Sequence, residues 1–227
     1  MRKLLNVFLE EGCKIMYRKY IKRMLDIVLS LTVIILLSPL ILIIAIMVKI
    51  KLGSPILFKQ ERIGKNEKIF NLYKFRSMTD EKDKNGQLLS EKERITKFGA
   101  LLRSSSLDEL PELFCILKGD MSFVGPRPMP TYYGPYFLEE ERKRHLITGG
   151  LIPPDSLSGK TYTTYEEQFK YEVYYSENIS FWLDIKVIFS TFKILFNRVE
   201  TGYGTELDRP HLNIYRKDLF NKKMEEK

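Results

Sequence analysis

The chain has 227 residues and a formal net charge of +8, with 37 Lys and Arg against 29 Asp and Glu. That length fits one domain with or without a membrane-associated segment, and the charge calls for an anionic partner: nucleic acid, a lipid headgroup surface or a phosphorylated substrate. Two cysteines, Cys13 and Cys115, lie far apart and match no C-x-x-C pattern, which points to neither zinc nor a redox pair, and nothing ties His145 or His211 to a catalytic thiol.

Residues 1–24 mix apolar positions with Lys14, Arg18, Lys19, Lys22 and Arg23, a composition suited to a helix lying on an anionic leaflet. The next segment, 25–50, holds the uncharged run IVLSLTVIILLSPLILIIAIMV, about long enough to span a bilayer. Lys49 and Lys51 follow where a signal peptide would need small residues. With Lys59 they make the second flank as basic as the first, so both ends read as cytoplasmic. Ser38-Pro39 sits in the middle of the run. Proline removes a backbone donor there, so a kink or break is expected, with the serine hydroxyl available to the freed carbonyl. A helix that enters, bends at Ser38-Pro39 and leaves by the same face meets both observations; a kinked spanning helix is the alternative. Asp26 stands at the edge of this segment.

Beyond it, PILFKQERIGKNEKIFNLYKFRSM reads as two short strands around the turn RIGKNEK. DKNGQ reads as a turn, and the stretch from about Glu91 to Arg103 as a helix. Residues 51–198 therefore describe a small mixed domain of the α+β class. Near its end, ISFWLDIKVIFSTFKILFNR is apolar and aromatic, with Asp184, Lys186 and Lys193 at spacings that suit one side of a helix. It reads either as a core helix or as an interfacial one anchored by Trp182. The polar stretch 199–227 is expected to fray.

The chemistry concentrates in LLRSSSLDELPELFCILKGDMSFVGPRP, residues 101–128. Ser106 and Glu109 match the capping box S-x-x-E, which would account for both with no chemistry at all. Yet Asp108 stands beside Glu109, and Pro111 suits the first position of a helix better than its interior. That would place both carboxylates on the turn before a helix N-terminus, where anions and their partners gather. Adjacent side chains face different ways, so one carboxylate can hold a hard cation such as Mg²⁺ while the other acts as nucleophile or base. Arg127, between Pro126 and Pro128, would be a stiffly held fork for phosphate, and Lys74 and Arg76 of KFRSM are further candidate ligands. Together these residues describe phosphoryl transfer.

In these features the chain resembles the small monotopic phosphoglycosyl transferases, the bacterial sugar transferase family. KRMLDIVLS…LLSPLILIIAI, GSPILFKQERIGKNEKIFNLYKFRSM, LLRSSSLDELPELFCILKGDMSFVGPRP and YYSENISFWLDIKVIF carry the likeness, in family order from about Tyr17 to about Phe196. The resemblance implies transfer of a sugar 1-phosphate from a UDP-sugar to polyprenol (undecaprenyl) phosphate with release of UMP, early in glycan or glycoprotein assembly. It implies Asp108 as the attacking nucleophile through a phosphosugar-aspartyl intermediate, Glu109 on Mg²⁺, and Arg103 and Arg127 on phosphate. It also implies a re-entrant anchor broken at Ser38 and Pro39, placed on the cytoplasmic face of the bacterial inner membrane. Asp184 matches a polar family position, with an interfacial or helix-capping role as the alternative. One stretch departs from the family pattern: RHLITGGLIPPDSLSGKTY stands where relatives carry a segment like RPGITGWAQVNGR after an RH pair, leaving Gly150, Gly159 and Lys160 as its candidate pocket positions. That departure leaves the donor sugar open, as are prenol length and any homo-oligomer. The rival readings are a membrane-anchored UDP-sugar hydrolase, a non-enzymatic scaffold, and a nucleic-acid binder for which no motif is present.

Overall fold

The computed structural model describes residue 12, residues 14–201 and residues 210–217, the side chains of 197–201 excepted. Cys13, most of the basic segment 1–24 and much of the stretch 199–227 lie outside the described residues. The chain forms two compact units, one of residues 27–60 and 71–118, the other of 1–26, 61–70 and 119–227.

A π-helical turn, Tyr17–Ile21, leads into helix α1, Lys22–Leu52, which is long and apolar enough to cross a membrane. Of the kink or break expected at Ser38-Pro39, a break is not seen: α1 continues through it with Pro39 inside. The local hydrogen bonding explains the continuity. Proline has no N–H to give the carbonyl four residues back, and that carbonyl, Ile35 O, instead accepts from Ser38 Oγ at 2.8 Å. Most of the apolar side chains around this point face outward, among them Ile35, Leu36, Leu42 and Ile43. Further along, Ile44 and Val48 turn inward against Phe75 and Leu102.

Strands β1, Leu57–Ile63, and β2, Ile69–Phe75, pair as the expected hairpin. Its loop is tight enough to put Asn66 and Glu67 at positive φ, 53° and 59°. The turn at DKNGQ also forms, with Asp83 Oδ1 accepting from the backbone N–H groups of Asn85 and Gln87. The single helix expected over about 91–103 is instead two, α2, Glu91–Arg94, and α3, Lys97–Ser104. Thr96 makes the difference: its Oγ1 accepts from Gly99 N–H at 3.0 Å, so it caps a new helix rather than continuing the old one. Gly99 also lets α3 approach the backbone, since a Cβ there would stand 1.7 Å from Ser77 O. Helix α4, Glu112–Lys118, completes this unit.

In the other unit, β3, Ser122–Val124, and β4, Gly150–Ile152, pair in parallel with Ser122 opposite Gly150 and Val124 opposite Ile152. Two helices follow, α5, Tyr165–Asn178, and α6, Phe181–Thr201. One core gathers Tyr17, Val124, Ile147, Tyr175, Ile179 and Val187; another gathers Ile63, Met129, Tyr133, Phe137, Tyr165, Phe169 and Leu212. Helix α6 has a buried face, as a core helix would, and an exposed aromatic one. Val187 and Ile194 are buried, while Trp182, Phe189 and Phe196 are 75, 70 and 73% exposed. The three charges do not share a side, for Asp184 is buried and Lys186 and Lys193 are exposed.

Residues 210–217 are a second departure from expectation, because they pack rather than fray. Leu212 of the short helix α7, Leu212–Tyr215, is fully buried. Arg216 forks onto Glu141 at 2.7 and 2.8 Å, and His211 Nδ1 lies 2.8 Å from Tyr133 Oη.

Candidate active site

The carboxylate pair lies in a tight 3-10 turn, Leu107–Glu109, directly before α4. Pro111 precedes the first residue of α4, and Phe114 N–H donates to its carbonyl at 3.1 Å. The turn is not a capping box. Ser106 adopts the left-handed conformation, φ 54° and ψ 17°, and its side chain caps nothing. A non-glycine residue in that region stores strain of about 1–3 kcal/mol, a cost found where the surroundings fix a functional geometry.

Glu109 turns instead toward β2. Lys74 Nζ donates to Glu109 Oε1 at 2.5 Å and lies 3.3 Å from Glu112 Oε1. Lys74, a candidate phosphate ligand from the sequence, is thus a cation bound to this acidic turn. Asp108, only 7% exposed, points elsewhere, as adjacent side chains must. Burial pushes its carboxyl above the usual carboxylate range, the charge of Glu109 pushes the same way, and Lys74 and Arg103 oppose both. A buried carboxylate with raised basicity, held ionisable by two nearby cations, is chemically equipped to attack an electrophilic centre.

Arg103 is exposed on α3, its Nε donating to Ser77 Oγ at 3.0 Å. Arg76 is occupied differently from the expectation. Its buried guanidinium donates to Met78 O, Leu52 O and Ser54 O at 3.0–3.1 Å and pairs with Asp80 at 2.6 Å, tying the end of β2 to the end of α1. KFRSM thus contains one cation turned to the acidic turn and one spent on main-chain carbonyls. Two residues apart, they would share a face if the strand ran on, but β2 ends at Phe75 and Arg76 lies beyond it, free of that alternation.

Among the described residues no cluster of three His, Cys, Asp or Glu side chains forms. Mg²⁺ does not need one, since it takes one or two carboxylates and fills its octahedron with waters and substrate phosphate oxygens. Glu109 and Glu112 already share a cation in the Lys74 ammonium, so hard oxygen donors stand where positive charge is held. The residues present therefore fit a Mg²⁺ site built on Glu109.

The remaining positions fall in the other unit. Arg127 has an exposed side chain and a fixed main chain. Gly150 lies in β4, where a Cβ would meet Gly125 N at 2.1 Å, so its glycine serves strand packing. Gly159 closes a 3-10 turn, Pro154–Ser158, at φ 69°, and Lys160 pairs with Glu167 at 2.5 Å. Asp184 is neither interfacial nor a cap. It is buried, accepting from Lys22 Nζ at 2.5 Å, from Tyr17 Oη at 2.7 Å and from Tyr175 Oη. Sequence reasoning passed over Arg144 and Glu172, a wholly buried ion pair at 2.6 Å. The RH pair was the one signal pointing to the first of them.

A family model described as bacterial sugar transferase matches residues 17–198. The chain is 42% identical over 168 residues to the uncharacterized sugar transferase EpsL of Bacillus subtilis (strain 168), covering 74% of this chain and 83% of that one. It is 38% identical over 188 residues to the UDP-glucose:undecaprenyl-phosphate glucose-1-phosphate transferase of Klebsiella pneumoniae, 78% of this chain and 40% of the relative. A UDP-N-acetylgalactosamine-undecaprenyl-phosphate N-acetylgalactosaminephosphotransferase of Aeromonas hydrophila is 34% identical over 193 residues, 82% of this chain and 45% of its own. The matched region spans less than half the length of these last two relatives.

Proposed function

The chain belongs to the bacterial sugar transferase family, and we propose that it transfers a sugar 1-phosphate from a UDP-sugar to undecaprenyl phosphate, releasing UMP. The names of the relatives support this reaction class. They differ in the sugar, glucose in one and N-acetylgalactosamine in the other, so the donor sugar is not carried over.

The single observation that carries the mechanism is the buried Asp108 carboxylate, raised in basicity and flanked by Lys74 and Arg103. A carboxylate oxygen of Asp108 attacks the β-phosphorus of the donor, and the bond from that phosphorus to the UMP oxygen breaks. An oxygen of the acceptor phosphate then attacks the same phosphorus and returns the electron pair to the aspartate. The product is a polyprenol diphosphate sugar. Splitting the transfer in two lets one carboxylate serve a soluble donor and a lipid acceptor in turn. Glu109 would hold Mg²⁺, which when bound offsets the charge of the donor diphosphate. Arg103 and Arg127 bind phosphate oxygens.

The membrane arrangement belongs to the same reading. Basic flanks on both sides of the apolar run of α1 support a re-entrant anchor with both ends cytoplasmic. An uninterrupted helix and a Pro39 whose lost bond is covered by Ser38 fit a bend without a break.

Intact-protein mass spectrometry tests the mechanism directly. Detergent-solubilised protein with Mg²⁺ and a panel of UDP-sugars, without acceptor, gains the mass of a sugar phosphate, and Asp108→Asn does not. An equal gain by Asp108→Asn would remove Asp108 as nucleophile. UMP release indifferent to added undecaprenyl phosphate would favour a UDP-sugar hydrolase instead.

A further inference from the structure

The GPRP turn is gripped from below to an extent its sequence does not explain. Arg127 N–H donates to Glu172 Oε1 at 2.9 Å, and Arg127 O accepts from an Arg144 terminal nitrogen at 2.6 Å. Those two side chains bind each other, Arg144 Nε to Glu172 Oε2 at 2.6 Å, and both are 0% exposed. The peptide groups on either side are held as well: Pro126 O accepts from Gly150 N–H at 2.9 Å and Pro128 O from Arg62 at 2.9 Å. From 126 to 128 the main chain is thus tied to the fold while the Arg127 side chain projects outward.

A wholly buried ion pair is a poor way to gain stability. Its desolvation offsets its attraction, and well-packed apolar residues of similar volume often do as well or better. What such a pair supplies is geometry. A guanidinium fork and a carboxylate each have fixed directions, and here the pair grips the donor and acceptor of a single residue at once. The lower support is rigid too: Arg144 lies over the rings of Phe137 and Phe169, at 5.3 and 5.1 Å, and Gln168 Nε2 donates to Glu172 Oε1 at 3.1 Å.

We propose that Arg144 and Glu172 are positioning residues, a buried clamp that fixes the Arg127 main chain and so aims its exposed guanidinium at a substrate phosphate. The proposal rests on the transferase reading above. It adds a reason for the two prolines: they stiffen the turn laterally while the clamp sets its height and rotation. Misplacing a phosphate fork by about 1 Å costs on the order of 10²-fold in rate, so the clamp has an effect far larger than its contact with substrate, which is none.

The test is a double-mutant cycle on kcat/KM for UMP release with undecaprenyl phosphate present, using the donor found by mass spectrometry. Glu172→Gln and Arg144→Lys each lower kcat/KM by about 10- to 100-fold in the wild-type background. In an Arg127→Met background the same substitutions change it little, because the group they position is gone. Folding is followed separately by thermal melting. Should the single variants fail to fold, the paired replacement Arg144→Met with Glu172→Leu removes the clamp while filling its volume. That variant retains a cooperative melt and loses kcat/KM to the same extent as the singles. Equal losses in the two backgrounds would overturn the proposal, since the pair would then act independently of Arg127. An Arg127→Met protein with the kcat/KM of the wild type would overturn it as well and leave the transferase reading standing. Absence of UMP release from the wild type with every donor would instead sink that reading.

Discussion

Asp108 and Glu109 show how two adjacent, similar side chains acquire different chemistry. Glu109 is partly exposed and bound to Lys74, whereas Asp108 is buried, with Lys74 and Arg103 acting on it through their charge. The sign of the pH dependence follows. In the proposed reaction attack needs an ionised Asp108, so activity is expected above its pKa and lost as pH falls through it. Burial and Glu109 raise that pKa, so the acid limb of kcat/KM lies above the ordinary carboxylate range. Lys74→Met removes an opposing positive charge, and its pH–rate profile shows the acid limb moved further up. A limb that stays in place or moves down would show that Lys74 does not act on the nucleophile. Asp108→Asn leaves the fold and lowers transfer by about 10⁴-fold or more, measured as UMP release.

At the scale of elements, α1 and α7 each overturned a simple expectation. For α1 a proline was read as a kink or break; the helix runs on, and the serine before it gives the freed carbonyl a donor, as the sequence allowed. Whether that helix crosses or returns is decided by its flanks. In a protein whose Cys13 and Cys115 are replaced by serine, single cysteines at Lys14 and Lys51 are both shielded from a membrane-impermeant reagent added outside intact spheroplasts. Labelling of one flank would establish a span. For α7 and the residue after it, a polar composition concealed one fully buried leucine and one buried arginine with two acidic partners. Leu212→Ala is expected to destabilise by about 2–5 kcal/mol. For a chain of this size, thermal melting should fall by about 2–4 °C per kcal/mol.

For the whole molecule, the +8 charge and the outward apolar faces that α1 and α6 each carry call for the same surroundings. An exposed apolar helix face needs an apolar partner, and flanking lysines and arginines suit an anionic leaflet. The protein is therefore expected to stay with the membrane fraction through nuclease treatment and high salt, and to leave it with detergent. Release by nuclease or salt alone would indicate a polyanion or a purely electrostatic attachment.

The sequence by itself determined the apolar segment, the β1–β2 hairpin, the DKNGQ turn and the helix start after Pro111. Each follows from local rules: run length, alternation, turn chemistry and the fixed φ of proline. It also marked Asp108 and Glu109, because a charged pair before a helix-starting proline conflicts with simple capping. Tertiary structure alone decided what those residues meet. That Lys74 faces Glu109 while Arg76 is spent on carbonyls, that Asp184 is a buried acceptor, and that Arg144 and Glu172 hold Arg127 all depend in part on partners distant in sequence, up to 167 residues away. Polar composition gives no sign of such burial, since a charge can enter the core only when the fold delivers its counter-charge or donors to it.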